Sequence, residues 1–298
     1  MISMASPVED WSRLIGTNRH RMLIKRDDLL PFPLAGNKVR KLTYEFQRVD
    51  PHVHTIITVG SVHSNHCRTT ALMAAQRGVP LRLVLHDEGQ ARSGPLSQRM
   101  LMSLGAVSDV VAPEEIRTKI ERMFEEIRVQ GREPYLIQGG CHTPRGVTAY
   151  RDAVRELASQ IDHEPDVIVV ASGTGATQAG IIAGCRELGW VTRVVGVSVA
   201  RRKERGTAAV EEALRWVMPN HHEAIEFTDD YVAGGYGMAD AATTATVQWA
   251  WRHGLPLDPV YTGKAMTAVR EIAETGDARK LVVFWHTGGL FQALSNWI

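Results

Sequence analysis

Lys38 is singled out by its neighbours. It lies in Lys25–Leu42, KRDDLLPFPLAGNKVRKL, where a Pro-containing loop ends and Gly36-Asn37 precedes a predicted helix. A lysine in the first turn of a helix meets the positive end of the helix dipole, which disfavours its charged form. Such an amine gives up its proton more readily and suits imine formation with a carbonyl. Arg40 and Lys41 follow, so a solvated basic turn is the plain alternative. In Gly60–Arg68, GSVHSNHCR, a strand-to-helix turn carries Ser64 and Asn65. The N–H groups of that turn and its short polar side chains suit a carboxylate or phosphate. Ser64 as an ordinary N-cap explains the same residues.

The third segment, Ser172–Gly180, reads SGTGATQAG. Its small residues let the chain curl so that several N–H groups converge on an anion, with Thr174 and Thr177 adding hydroxyls. It is neither GxGxxG nor a P-loop, and no GK[ST] follows, which argues against ATP. A tight turn packed for its own sake is the alternative. The fourth comprises Leu257–Met266, LDPVYTGKAM, and Phe284–Gly289, FWHTGG. Tyr261, Thr262 and Thr287 are its polar residues, near glycines and apolar strands, and ligands gather at strand ends in open α/β sheets. Tyr261 also reads as a half-buried core tyrosine, and His286 as a satisfied buried one. The remaining histidines, among them His20, His86, His163 and His221-His222, show no ligand spacing, so no metal is expected. Asp27 and Asp28, as neighbours on a strand, would point to opposite faces and not converge for acid–base work.

Strands and helices must alternate to position these segments. Runs rich in β-branched residues predict strands at His54–Val59, Leu81–Leu85, Tyr135–Ile137, Asp166–Ala171, Arg193–Val199 and Leu281–Trp285. Helical patterns fall at Ser64–Gln76, Leu96–Leu104, Glu114–Val129, Arg145–Ile161, Thr177–Leu188 and Leu290–Trp297. The alternation predicts an α/β protein with parallel sheets covered on both faces.

The 298 residues carry 34 Lys plus Arg against 33 Asp plus Glu, a net charge of +1. That balance gives no reason to expect nucleic acid or an anionic membrane as partner. No long uncharged apolar run predicts a transmembrane helix, and Met1–Trp11 lacks a signal-peptide core. Three scattered cysteines, Cys67, Cys141 and Cys185, fit a reducing, cytoplasmic compartment.

In this order, KRDD…GNKVRKL, SNHCR, SGTGATQAG, LDPVYTGKAM and HTGG resemble the D-cysteine desulfhydrase and 1-aminocyclopropane-1-carboxylate (ACC) deaminase family. The resemblance runs from about Lys25 to Gly289. It implies the tryptophan-synthase-β-like fold (fold type II) with pyridoxal 5'-phosphate (PLP) as cofactor. Two open twisted α/β domains with mostly parallel sheets are then expected: a large one of residues 1–45 plus 145–298, and a small one of residues 46–144. By the same resemblance Lys38 matches the lysine that holds PLP covalently. Asn65 matches the asparagine at the PLP 3'-oxygen, and Ser64 the serine beside the substrate carboxylate, with His66 and Thr262 also on the substrate side. Gly173, Thr174, Gly175, Ala176 and Thr177 match the phosphate loop. Tyr261 matches an active-site tyrosine, Tyr236 looks like a second, and Thr287 looks like the partner of the pyridine nitrogen. ACC deaminases tend to carry an acidic residue where Thr262 stands and leucine where Thr287 stands. The two threonines therefore imply β-elimination of D-cysteine to pyruvate, ammonia and sulfide. ACC deamination, β-elimination or β-replacement on another amino acid, and a silent PLP or amino-acid binder are the alternatives. His63 stands where the family usually has glutamine, and Ala176 replaces a usual glycine. A homodimer is implied by the resemblance alone.

Overall fold

The computed structural model describes residues 5–15, 20–33, 36–86, 95–222, 224–275 and 279–297. Leu34 and Ala35 of the lysine-bearing segment lie outside the described residues. The chain opens with β1 (Val8–Asp10), α1 (Ser12–Ile15), β2 (Arg21–Arg26) and α2 (Asn37–Phe46). Next come β3 (His54–Ser61), α3 (Asn65–Arg77), β4 (Leu81–His86), α4 (Pro95–Ser103), β5 (Val107–Val111), α5 (Ile116–Val129) and β6 (Glu133–Ile137). The remainder is α6 (Pro144–Ala158), β7 (Val167–Ser172), α7 (Ala176–Glu187), β8 (Arg193–Ser198), α8 (Lys203–Arg215), β9 (Glu226–Thr228), α9 (Ala241–Arg252), α10 (Thr262–Glu274), β10 (Leu281–His286) and α11 (Leu290–Trp297).

Two compact units result: residues 1–41 with 144–297, and residues 42–143. The first is built on a six-stranded sheet in the order β1-β2-β10-β7-β8-β9. All its pairings are parallel except β1 with β2. β7 and β10 are buried along their whole length, which explains their unbroken apolar runs. Ile168 and Val170 of β7 face one cluster with α6, α7 and α8. Val167, Val169 and Ala171 face the other, with α9 and α10. Each such buried Val or Ile contributes roughly 1.5–3 kcal/mol. Gly180 and Gly184 let α7 lie close on α6: a Cβ on either would come within 2.4 Å of Tyr150 Cβ or 2.6 Å of Val154 Cβ.

The second unit holds a four-stranded parallel sheet, β5-β4-β3-β6. Ile57, Val84, Met123 and Ile127 form one of its apolar clusters, under α5.

None of Cys67, Cys141 and Cys185 forms a disulfide, and all are buried. Burial pushes the Cys67 thiol up to about 11 and the Cys185 thiol to about 12. No helix among the described residues is long and apolar enough to cross a membrane.

Several elements differ from the sequence expectation. β5 is an additional strand, mostly exposed, with Ser108 and Asp109 interrupting its apolar pattern. α8, α9 and α10 occupy a stretch where no helix is expected. α9 carries the β-branched Thr243, Thr244, Thr246 and Val247, which mask a helical signal. β2 ends at Arg26, and Asp27–Leu29 form a 3-10 turn instead of prolonging the strand. Pro113–Glu115 is likewise a 3-10 turn ahead of α5, because proline is tolerated only at a helix start.

Candidate active site

Lys38 is the second residue of α2, so its amine does sit in a helix's first turn. Two segments hold that turn. Asn37 N donates to Thr287 O at 3.0 Å, and Gly36 pairs with Gly288 in an isolated antiparallel bridge. Gly36 has φ 156, and a Cβ there would stand 2.6 Å from Thr287 O, so only glycine allows this approach. Asn37 Nδ2 donates to Thr177 Oγ1 at 3.3 Å. The residue before Lys38 thus ties the loop after β10 to the first turn of α7.

The loop after β7, Gly173–Gly175, leads into α7. Gly175 is the N-cap, with left-handed backbone (φ 97), and no side chain caps the helix. A Cβ on Gly175 would approach the Ala209 and Val210 backbone to 3.0 Å. Ser172, 2% exposed, ends β7 just before this loop, and its Oγ finds no hydrogen-bond partner. A buried hydroxyl without a partner is costly. An uncapped helix N-terminus and an unsatisfied hydroxyl form a cradle that suits an anion.

Thr262 is held by Asp258, a residue that its sequence context does not single out. Asp258 is fully buried. Its Oδ1 accepts from Val260 N (2.9 Å) and Tyr261 N (2.7 Å). Its Oδ2 accepts from Thr262 N (3.1 Å) and Thr262 Oγ1 (2.7 Å). The carboxylate thereby serves the start of α10, where negative charge is favoured. Burial raises its pKa against those hydrogen bonds. Thr262 Oγ1 also accepts from Asp258 N at 2.9 Å, and its single hydrogen is already committed to Asp258 Oδ2. Asp258 abuts the β10 loop as well: a Cβ on Gly289 would lie 2.1 Å from Asp258 Oδ2. Tyr261 and Thr262 open helix α10 and do not flank a strand, whereas Thr287, 9% exposed, follows β10 directly. His286 is fully buried, and its Nδ1 accepts from Gly288 N at 3.2 Å while Nε2 lies 3.0 Å from Pro256 O. Tyr236 Oη lies 2.5 Å from Tyr261 Oη, with the two rings edge to face.

A second network, also missed, anchors α2. Asp27 is fully buried and takes five hydrogen bonds. Its Oδ1 accepts from Ser6 Oγ (2.8 Å), Arg40 Nε (2.9 Å) and Arg40 Nη2 (2.8 Å). Its Oδ2 accepts from Tyr150 Oη (2.6 Å) and Trp285 Nε1 (2.8 Å). Arg40 also donates to both oxygens of Glu156 at 2.8 Å, and Lys25 Nζ donates to Glu156 Oε1. Burial pushes Asp27 up, but the Arg40 guanidinium and the hydrogen bonds prevail and hold its carboxyl below the usual range. Glu156 is lowered in the same way by Arg40 and Lys25 against its burial. Asp28 turns elsewhere, to Arg26 at 2.7 Å. The two carboxylates diverge, as expected, but from a turn.

In the first unit, contacts therefore run unbroken from Asn37 to Thr177 and Thr287, through Gly289 to Asp258, and on to Thr262, Tyr261 and Tyr236. In the second unit Ser64 caps α3, accepting from Cys67 N at 3.2 Å. Asn65 Oδ1 accepts from Arg68 Nη2, so the amide's remaining hydrogen-bonding group is the donor Nδ2. The His66 ring is buried: Nε2 lies 2.7 Å from Thr58 Oγ1 and Nδ1 3.7 Å from Cys141 Sγ. Because the Thr58 hydrogen goes to Ile137 O at 2.7 Å, His66 Nε2 is the donor of its pair. Among the described residues no group of three His, Cys, Asp or Glu is placed to hold a metal.

Residues 4–288 match the family model described as "Pyridoxal-phosphate dependent enzyme". The chain is 34% identical over 298 residues to a Pyrococcus horikoshii protein whose name proposes a 1-aminocyclopropane-1-carboxylate deaminase, covering 97% of this chain and 91% of that one. It is 33% identical over 307 residues to the D-cysteine desulfhydrase of Yersinia enterocolitica, covering 97% and 92%. A solved ACC deaminase homologue superposes with a TM-score of 0.86 at 32% identity, covering 97% of this chain and 90% of that one.

Proposed function

The chain belongs to the pyridoxal-phosphate dependent enzymes, and on that premise we propose that it is a β-eliminating lyase that converts D-cysteine, or a close analogue, to pyruvate, ammonia and sulfide. The Asp258–Thr262 pair carries the choice of reaction. Asp258 has both oxygens filled by four donors, and Thr262 has no hydrogen left to give. Neither offers the free carboxylate that would keep a pyridine nitrogen protonated and the ring a strong electron sink. Departure of a β-thiolate needs only a modest sink, because the charge at Cα is short-lived. Thr287 is left as the hydroxyl partner for the ring nitrogen.

The residues present fit the cofactor. The Gly173–Thr177 turn, the uncapped start of α7 and the unsatisfied Ser172 hydroxyl would hold its phosphate. Lys38 would hold its aldehyde, and Asn65 Nδ2 its phenolic oxygen. When bound, the cofactor supplies covalent activation of the substrate amine and an electron-withdrawing ring. The chain's own groups do the rest. Lys38 Nζ takes the proton from the substrate Cα as the C–S bond breaks. The Tyr236–Tyr261 hydroxyl pair delivers a proton to the departing sulfur. Ser64 and the main-chain N–H groups of Asn65 and His66 hold the substrate carboxylate, the His66 ring being engaged with Thr58. Water then completes the products: D-cysteine plus water gives pyruvate, ammonia and hydrogen sulfide.

Purified protein incubated with D-cysteine should release sulfide and pyruvate in equal amounts. Consumption of ACC with no sulfide from D-cysteine would replace this reading by deamination, which the Pyrococcus relative's name favours. Borohydride reduction and peptide mapping should place the cofactor on Lys38. We further propose a homodimer, and a reducing, cytoplasmic setting, which the absence of disulfides among the described cysteines supports. Sedimentation at monomer mass would remove the dimer.

A further inference from the structure

Lys264 is the third residue of α10, three after Tyr261. Its side chain is fully buried. The ammonium donates to three main-chain carbonyls: Val232 O at 2.9 Å, Val199 O at 3.2 Å and Gly235 O at 3.4 Å. Val199 follows β8, and Val232 and Gly235 flank the turn that leads into Tyr236. A cation in the first turn of a helix opposes the dipole, and burial adds desolvation. Burial pushes its pKa down to about 8, with Asp240 and Asp258 pulling the other way. So costly a placement is poor packing if packing is its only purpose.

The loop it grips needs an outside hold. Ala233 has φ 55, left-handed backbone that a residue with a Cβ adopts only under constraint, and Gly234, Gly235 and Gly237 also have positive φ. Its internal bonds are few: Val232 N to Asp229 O, Gly235 N to Val232 O and Met238 N to Gly235 O. We propose that Lys264 is the positioning residue for Tyr236, tying the 232–237 loop to α10 and so holding Tyr236 Oη against Tyr261 Oη. A single side chain thereby sets both members of the hydroxyl pair, one through its own helix and one through the carbonyls it grips.

The inference rests on Tyr236 acting in the reaction, and the test separates the two claims. Lys264→Met keeps the volume and removes the donors. In the holoenzyme, hydrogen exchange of amides 232–237 should quicken about tenfold, with the β7 and β10 amides unchanged. kcat should fall about as far as in Tyr236→Phe. The double variant should lie within about twofold of the slower single variant, since both remove one function. Unaltered exchange in the loop, or losses that multiply in the double variant, would overturn the latch. A Tyr236→Phe enzyme at full kcat would instead overturn the part given to Tyr236, whatever exchange shows. Should Lys264→Met not fold, Lys264→Leu, which likewise removes every donor, takes its place in the same cycle with the same criteria.

Discussion

Replacing Asp27 with asparagine should destabilise the protein by about 3–5 kcal/mol, the usual cost of removing one partner from a buried ion pair. The geometry explains why the two side chains are not equivalent here. Asp27 offers two acceptor oxygens to five donors. Asparagine offers one oxygen and an amide that only donates. Facing its oxygen to Arg40 leaves Trp285 Nε1–H buried without an acceptor, at about 1–3 kcal/mol. The opposite flip sets N–H against the guanidinium and is worse. Glu156 still pairs with Arg40, which keeps the loss from growing further. Urea unfolding followed by circular dichroism measures the difference. Its pH dependence adds a sign. The folded carboxyl of Asp27 lies below its ordinary value, so its stabilisation is complete above the unfolded pKa of about 3.9 and fades as pH falls through the folded one. The gap between wild type and variant should therefore be flat from neutrality to about pH 4 and narrow below it. A loss under about 1 kcal/mol, or a gap that widens in acid, would refute the account of this network.

Lys38→Ala should abolish covalent cofactor attachment and lower kcat by about two to four orders of magnitude, as loss of a general base does, read by absorbance and sulfide release. Gly36→Ala should lose more than about 1 kcal/mol and some cofactor, because its Cβ meets Thr287 O at 2.6 Å; thermal melting with and without added cofactor checks this. Thr262→Ala should cost about 1–3 kcal/mol of stability, leaving Asp258 short of a donor, whereas Thr287→Ala should leave the melting point nearly unchanged and lower kcat. Equal melting losses in the two threonine variants would contradict the division of labour between them.

The alternation of strands and helices was legible because both-face burial forces β7 and β10 into continuous apolar runs. The same pattern hid β5, whose exposed face tolerates Ser108 and Asp109, and α9, whose threonines read as strand formers. The lysine turn and the Gly173–Thr177 loop were visible because each sets glycine and polar side chains within a few positions of a helix start. Asp27, Asp258 and Lys264 were not, because a charge buried among distant side chains or main-chain groups looks in sequence like a charge facing water. Asp258 stands three residues before the N-cap Tyr261, outside the usual capping position, so no helix-start signal marks it. The contacts of Asn37 with the loop after β10 and the start of α7 could be found only in three dimensions, since 140 residues separate it from Thr177.

The sealed thiols bear on what the enzyme makes. Hydrosulfide attacks oxidised cysteines, and exposed thiolates are what oxidants reach first to create them. Here all three sulfur atoms are enclosed, and two of them are held in the unreactive, protonated state well above neutral pH. A catalyst that liberates hydrosulfide would thus carry no ready target for persulfidation by its own product, and should keep its rate through many turnovers in air without added reductant.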